Sequence, residues 1–227
     1  MQLTNLSNTF TAFGSFAVFD EDTMTLINRL YSDCNIAINQ EPNNPNNKSG
    51  KVMRITNPTK HYTMTLRPNR LDVQMPGVNN NNFNQLLNNV SEIFINFAEM
   101  FEGCYATRLA YVSSDFVFDD NGSTMQILAN TIPFISKQTP TQEVSLRINT
   151  PEKIQDEMVN VVLNISNVMI GNNKQPQAPQ RRAIMITHDI NTLSKNNDPR
   201  FDLKYVIPYF EEMHQISKDH LVPFENL

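Results

Sequence analysis

Two runs of alternating apolar and polar residues, His61 to Arg67 and Arg70 to Met75, face each other across Pro68 and Asn69. A chain patterned this way buries one face most simply as an antiparallel hairpin, because a one-residue slip would carry every apolar side chain into water. Pairing Arg67 with Arg70 sets Leu66 opposite Leu71, Met64 opposite Val73 and Tyr62 opposite Met75 on one side. Thr63, Thr65, Asp72 and Gln74 then share the other. Pro-Asn is not one of the usual two-residue hairpin turns, so the competing geometry is a bulge or longer loop that shifts the register by one. In either case the chain contains a sheet with one apolar face that must be covered and one wet face.

The cover is legible as helical periodicity. From Asn82 to Glu102, the residues Phe83, Leu86, Leu87, Val90, Ile93, Phe94, Phe97, Met100 and Phe101 form an unbroken apolar stripe, the signature of a core-facing helix. Asn residues precede it and Gly103 follows it, a capping residue and a terminator. A second long helix is predicted over Pro208 to Leu221, where proline in the first turn lacks only an amide proton that has no helical partner. A shorter helix opens at Asp20 to Asp22, with Met24, Ile27, Leu30, Tyr31 and Cys34 at helical spacing.

Strands are predicted at Thr9 to Phe19, Cys104 to Val117, Glu143 to Asn149 with Val144, Leu146 and Ile148 inward, Met158 to Ile170 with Val159, Val161, Leu163 and Ile165 inward, and Ala183 to Ile190. Asn39 to Gly50 and Gly171 to Arg182 read as surface loops, Asp119 to Gly122 as a turn, and Ser123 as the cap of a short helix ending before Pro133. The resulting fold class is α+β: an antiparallel sheet, or sheets, with the two long amphipathic helices packed on the apolar side. Residues 1–103 and 104–227 repeat the same order of strand, helix, strands and long helix. The chain is therefore read as a single α+β domain, or as two intimately packed halves descended from a duplication, a hypothesis that requires the halves to share one strand order.

The chain has 227 residues, 40% of them hydrophobic and 18% charged, enough to bury a substantial core. No apolar run reaches the roughly 18 to 20 residues of a spanning helix, and Met1 to Phe13 lacks the basic-then-apolar layout of a secretory leader. Cys34 and Cys104 form no paired motif, which argues against a zinc site or a disulfide framework. The expected location is the cytoplasm. An excess of asparagine, 31 residues, follows most simply from A/T-rich codon usage.

Chemistry is sparsely signalled. No phosphate-binding glycine loop, nucleophile elbow or zinc-protease motif occurs. His188 and Asp189 are neighbours on a predicted strand and point to opposite faces, and His214 and His220 lie six apart on a helix and so on different faces. Asp115, Asp119 and Asp120 lack the downstream glutamate of a calcium loop. No metal and no cofactor are expected, and no catalytic residue is assigned. From Pro42 to Leu71, however, Lys48, Lys51, Arg54, Lys60, Arg67 and Arg70 are accompanied by no acid, in a chain of net charge −5. Lys51, Arg54, Arg67 and Arg70 are the candidate binding residues, poised for an acidic protein or for nucleic acid.

The run Tyr62 to Pro76, the long helix after it and Thr107 to Ser113 resemble a sporadically distributed family of uncharacterised prokaryotic proteins. That family carries an L-x-P-D-R hairpin, an amphipathic helix and an R-x-G-L-R-Y strand. Ile184 to Ile190 is similar to its penultimate strand, and Phe210 to Glu225 to its closing helix, with His214 at the place of its central histidine. The resemblance covers about residues 50–227. Asn69 stands where the family commonly has aspartate, and Ala110 where it has arginine. The resemblance implies no reaction, substrate or cofactor. By analogy, the family's patchy distribution implies a role linked to mobile elements or phage defence.

Together these readings point to a non-enzymatic protein-interaction module, contacting a protein partner or a second copy of itself through a wet sheet face or edge. The alternative is a nucleic-acid-binding accessory factor using the basic 48–70 region. A third, an enzyme using His188 or His214, requires one of those imidazoles at the mouth of a polar pocket.

Overall fold

A computed structural model describes residues 3–16, 19–40, 50–77, 82–101, 103, 105–118, 145–171, 180–195 and 197–225. In chain order the elements are β1 (Leu3–Gly14), α1 (Glu21–Leu30), β2 (Asn35–Gln40), β3 (Lys51–Asn57), β4 (Tyr62–Arg67), β5 (Arg70–Pro76), α2 (Phe83–Met100), β6 (Tyr105–Phe118), β7 (Ser145–Ile154), β8 (Glu157–Ile170), β9 (Arg181–Thr192), β10 (Phe201–Asp202) and α3 (Ile207–Glu225). The strands build one antiparallel sheet in the order β2-β3-β4-β5-β1-β6-β9-β8-β7, with the two-residue β10 pairing β6. The fold is α+β, with the long helices on the apolar side of the sheet.

The β4–β5 hairpin closes in the register its alternation demands: Arg67 pairs with Arg70, Leu66 with Leu71, Met64 with Val73 and Thr65 with Asp72. The order within residues 1–103 is β2-β3-β4-β5-β1, and within 104–227 it is β7-β8-β9-β6. In both stretches the last long strand before the long helix (β5, β9) returns beside the opening strand (β1, β6). The two opening strands pair with each other at the centre of the sheet.

One interior serves both stretches. Phe10 and Leu71 from the first, Tyr111 and Ile190 from the second, and the helix residues Phe94, Phe97 and Phe210 are all fully buried in a single cluster. A second, smaller cluster of Ile165, Ile184, Ile186, Leu221 and Phe224 lies under the end of α3. Helix α1 starts where Asp20 accepts a hydrogen bond from the Thr23 amide at 2.8 Å, and it buries Ile27. Gly103 follows α2 at φ +75°, where a Cβ would meet nothing within 4 Å. Its left-handed backbone, not space, is what suits glycine there.

Several sequence expectations are corrected. Strand β1 runs over Leu3–Gly14 and not 9–19, because Asn5 and Asn8 turn inward to polar partners and a bulge between Asn5 and Ser7 accommodates them. Gly77 lies so close to that bulge that a Cβ on it would sit 1.8 Å from the Asn5 carbonyl oxygen. Residues 39–40 belong to an edge strand, β2, that the sequence reading placed in a loop. Asn82 makes no side-chain cap bond to α2. Ile148, on the edge strand β7, is exposed. Leu30, expected on the buried side of α1, is also exposed. The turn at 119–122, the helix after Ser123, residues 41–49 and 172–179 of the two loops, Lys48 and Cys104 lie outside the described residues.

Candidate functional site

The described helices contribute their buried residues to clusters formed with one face of the sheet, so side-chain parity assigns each strand residue to the helix face or the outer face. On the outer face the ladders align Arg67 of β4, Arg70 of β5, Phe13 of β1 and Arg108 of β6 in one row across four strands. The next row carries Arg54, Thr65, Asp72, Thr11 and Ala110.

Hydrogen bonds fix this cluster. Asp72 accepts from Arg70 Nε at 2.7 Å, Arg67 Nη1 at 3.0 Å and Thr11 Oγ1 at 2.6 Å. Because the buried Thr11 hydroxyl and two guanidinium groups converge on it, the carboxylate is held in one orientation. The half-buried ring of Phe13 sits between two cations: the guanidinium of Arg70 lies 5.1 Å, and that of Arg108 4.8 Å, from its centroid. Arg108 is itself fixed by Nη2 on Asn191 Oδ1 at 3.3 Å and Nε on the Thr192 carbonyl at 3.3 Å. Asn191 donates in turn to Asp189 at 3.2 Å.

Of the four candidate residues, the structure groups Arg54, Arg67 and Arg70 on the outer face. It sets Lys51 at the start of β3 with the opposite parity. Sequence reasoning placed Asp72 on the wet face of the hairpin but did not count it among the candidate residues, and it missed Arg108, which is distant in sequence and joins the row only through the β1–β6 pairing. Lys60, counted in the basic stretch, is paired with Glu92 of α2 at 2.8 Å.

On the helix face a polar seam runs beneath α3. Tyr111 donates to Asn8 Oδ1 at 2.7 Å, so at 3.0 Å its oxygen is left to accept from His214 Nδ1, which assigns the Nδ1–H tautomer to that histidine. Asn8 donates to Asn5 at 2.8 Å, and Asn5 to Asp115 at 2.9 Å. A second branch joins Ser113 to Ser217 at 2.9 Å and Ser217 to His188 Nδ1 at 3.1 Å. Burial depresses both His188 and His214 to about 4, each helped by a nearby cation or imidazole, and it raises Asp115 to about 6. His214 is stacked on Phe83, with ring centroids 3.3 Å apart. His188 is thus fully buried between helix and sheet, and His214 is partly buried against Phe83. His188 and Asp189 do point to opposite faces.

A small polar cavity of about 110 Å³ lies between α1, α2 and the β3–β4 turn, lined by Tyr31, Asn57, Tyr62, Lys60, Glu92 and Asn96 among others. Among the described residues no group of three metal-ligating side chains occurs, and no helix is long and apolar enough to cross a membrane. No protein-family model and no curated protein matches the chain.

Proposed function

We propose that this chain is a non-enzymatic protein-binding module whose outer sheet face receives an acidic segment of a partner protein, with Phe13 as the anchor. The observation that carries the reading is the row Arg67, Arg70, Phe13, Arg108, with its neighbour Asp72. An aromatic ring flanked by prearranged guanidinium groups is the composition of binding hot spots. Each arginine is already held by hydrogen bonds or ring contacts, so little side-chain entropy remains to be lost on binding. Guanidinium forks favour carboxylates, and Asp72 and Asp189 add selectivity by repelling misplaced acids.

Nucleic acid is the weaker reading on magnitude. Tight binders typically neutralise roughly 6 to 10 phosphates. The two rows around Phe13 bring together four arginines, Arg54, Arg67, Arg70 and Arg108, two of which share Asp72.

The test compares wild type with Phe13→Ala and Arg70→Glu, each checked for an unchanged circular dichroism spectrum. A fluorescent poly-glutamate peptide should bind the wild type and lose affinity at least tenfold with either variant. Equal binding by all three, or none by the wild type, ends the proposal. A shift of single- or double-stranded DNA at low salt that Arg67→Glu and Arg70→Glu abolish, without peptide binding, would favour nucleic acid instead.

A further inference from the structure

The sheet has two outer edges among the described residues, and they are built differently. Strand β7 carries Arg147, Glu152 and Lys153, together with Pro151, which has no amide proton to offer. Charges and proline are devices that stop an edge from recruiting another strand. Strand β2, Asn-Ile-Ala-Ile-Asn-Gln, has none of them: no charged residue, no proline and no bulge in its pairing with β3. It also bears apolar side chains on the helix face. Ile36 and Ile38 pair with the fully buried Ile55 and Met53, yet Ile38 is left 50% exposed. Among the described residues the interior therefore continues to the last strand and stops there without a border.

We propose that β2 is a pairing edge for a second copy of this chain, forming a two-fold dimer with a continuous antiparallel sheet. The sequence is self-complementary in one register: with Ala37 opposite Ala37 of the second copy, Ile36 faces Ile38 of the second copy twice over, and Asn35 faces Asn39. Each copy then covers the other's exposed isoleucines, and the unused backbone groups of both edges bond to each other. Charge does not oppose the union. Arg54, the outer-face cation nearest the edge among the described residues, is one strand in from β2. The two copies of Arg54 would be three strand spacings apart, about 14 Å, beyond the roughly 8 Å over which physiological salt screens charge. The join would also set the two basic outer faces side by side. The inference does not depend on the function proposed above, since β2 contributes nothing to the Phe13 row.

Light scattering on the full chain should give a dimer. Ile38→Lys, at a position already exposed in the single chain, should give a monomer with a wild-type circular dichroism spectrum, whose melting temperature no longer rises with protein concentration. Because that variant tests only loss, a second one tests geometry. In a Cys34→Ser, Cys104→Ser background, Ala37→Cys should form a disulfide-linked dimer on mild oxidation, while Thr150→Cys on β7 should not. A wild-type monomer at all accessible concentrations, a dimer that survives Ile38→Lys, or cross-linking through Thr150→Cys and not Ala37→Cys would each overturn the proposal.

Discussion

Asp72 illustrates how one residue decides the character of a surface. It pairs with two arginines and satisfies the buried Thr11 hydroxyl, so Asp72→Ala removes three acceptor contacts at once. The Arg70 side chain is 40% exposed and its pairing contributes little to stability, whereas Arg67 and Thr11 are better shielded. The expected cost is about 1 to 3 kcal/mol, dominated by the stranded hydroxyl and the Arg67 contact, and is measurable as a lower urea midpoint with an unchanged slope. Tyr111→Phe belongs to the same scale. It leaves Asn8 Oδ1 without its donor and His214 Nδ1 without its acceptor in a buried seam, and should cost about 1 to 3 kcal/mol by the same measurement.

Helix α3 is the element whose seating depends on protons. His188 and His214 are neutral in the fold down to about pH 4 but would be protonated below about 6.5 when unfolded. The stability that depends on their neutrality is complete above pH 6.5 and falls as the pH drops towards 4, by roughly 3 kcal/mol for the fully buried His188 alone. Asp115 acts in the opposite sense. It holds its proton to about pH 6 when folded, so its contribution is present below 3.8 and is lost as the pH rises through 6. Two imidazoles outweigh one carboxyl, and stability should decline on acidification from pH 6.5 to 4. The other ionisable side chains near this seam are His220, whose Nε2 lies 3.3 Å from Glu152, and Lys218. Replacing His188 and His214 by asparagine should flatten the dependence of the urea midpoint on pH over that range. An equally steep profile in the double variant would refute this origin.

At the same scale one can see what the sequence discloses. The hairpin, α2 and α3 were readable because apolar side chains recur there at one period over many residues, and a strict period allows one buried face. Strand β2 was not readable: six residues with two isoleucines are too short a signal, and asparagine-rich flanks suggest a loop. The beginning of β1 was hidden because its inward positions hold Asn5 and Asn8, polar residues whose burial makes sense only once Tyr111 and Asp115 stand beside them. For the candidate site the same reason applies to Arg108. A row that crosses four strands exists only in the sheet, and no spacing along the chain encodes it.

For the molecule as a whole, the shared interior makes the two stretches interdependent. Phe210 of α3 packs edge-on against Phe10 of β1, with centroids 5.2 Å apart, and lies 5.5 Å from Phe94 of α2. Phe210→Ala should therefore cost about 3 to 5 kcal/mol and lower the stability of both stretches together. Circular dichroism and tyrosine fluorescence should report one coincident unfolding transition before and after the substitution. Separate transitions would show that residues 1–103 and 104–227 are energetically independent.

The pairing of β1 with β6 at the centre of the sheet has a consequence for biosynthesis. The amino-terminal strand leaves the ribosome first, and β5 can join one of its sides once residue 76 is free. Its other side must wait for residues 105–118 to be translated, and Phe10 must wait for Phe210. Through most of its synthesis, the nascent polypeptide therefore carries its stickiest unfinished margin at what will become the middle of the protein. Expression at lowered temperature or with added chaperones should accordingly raise the soluble yield.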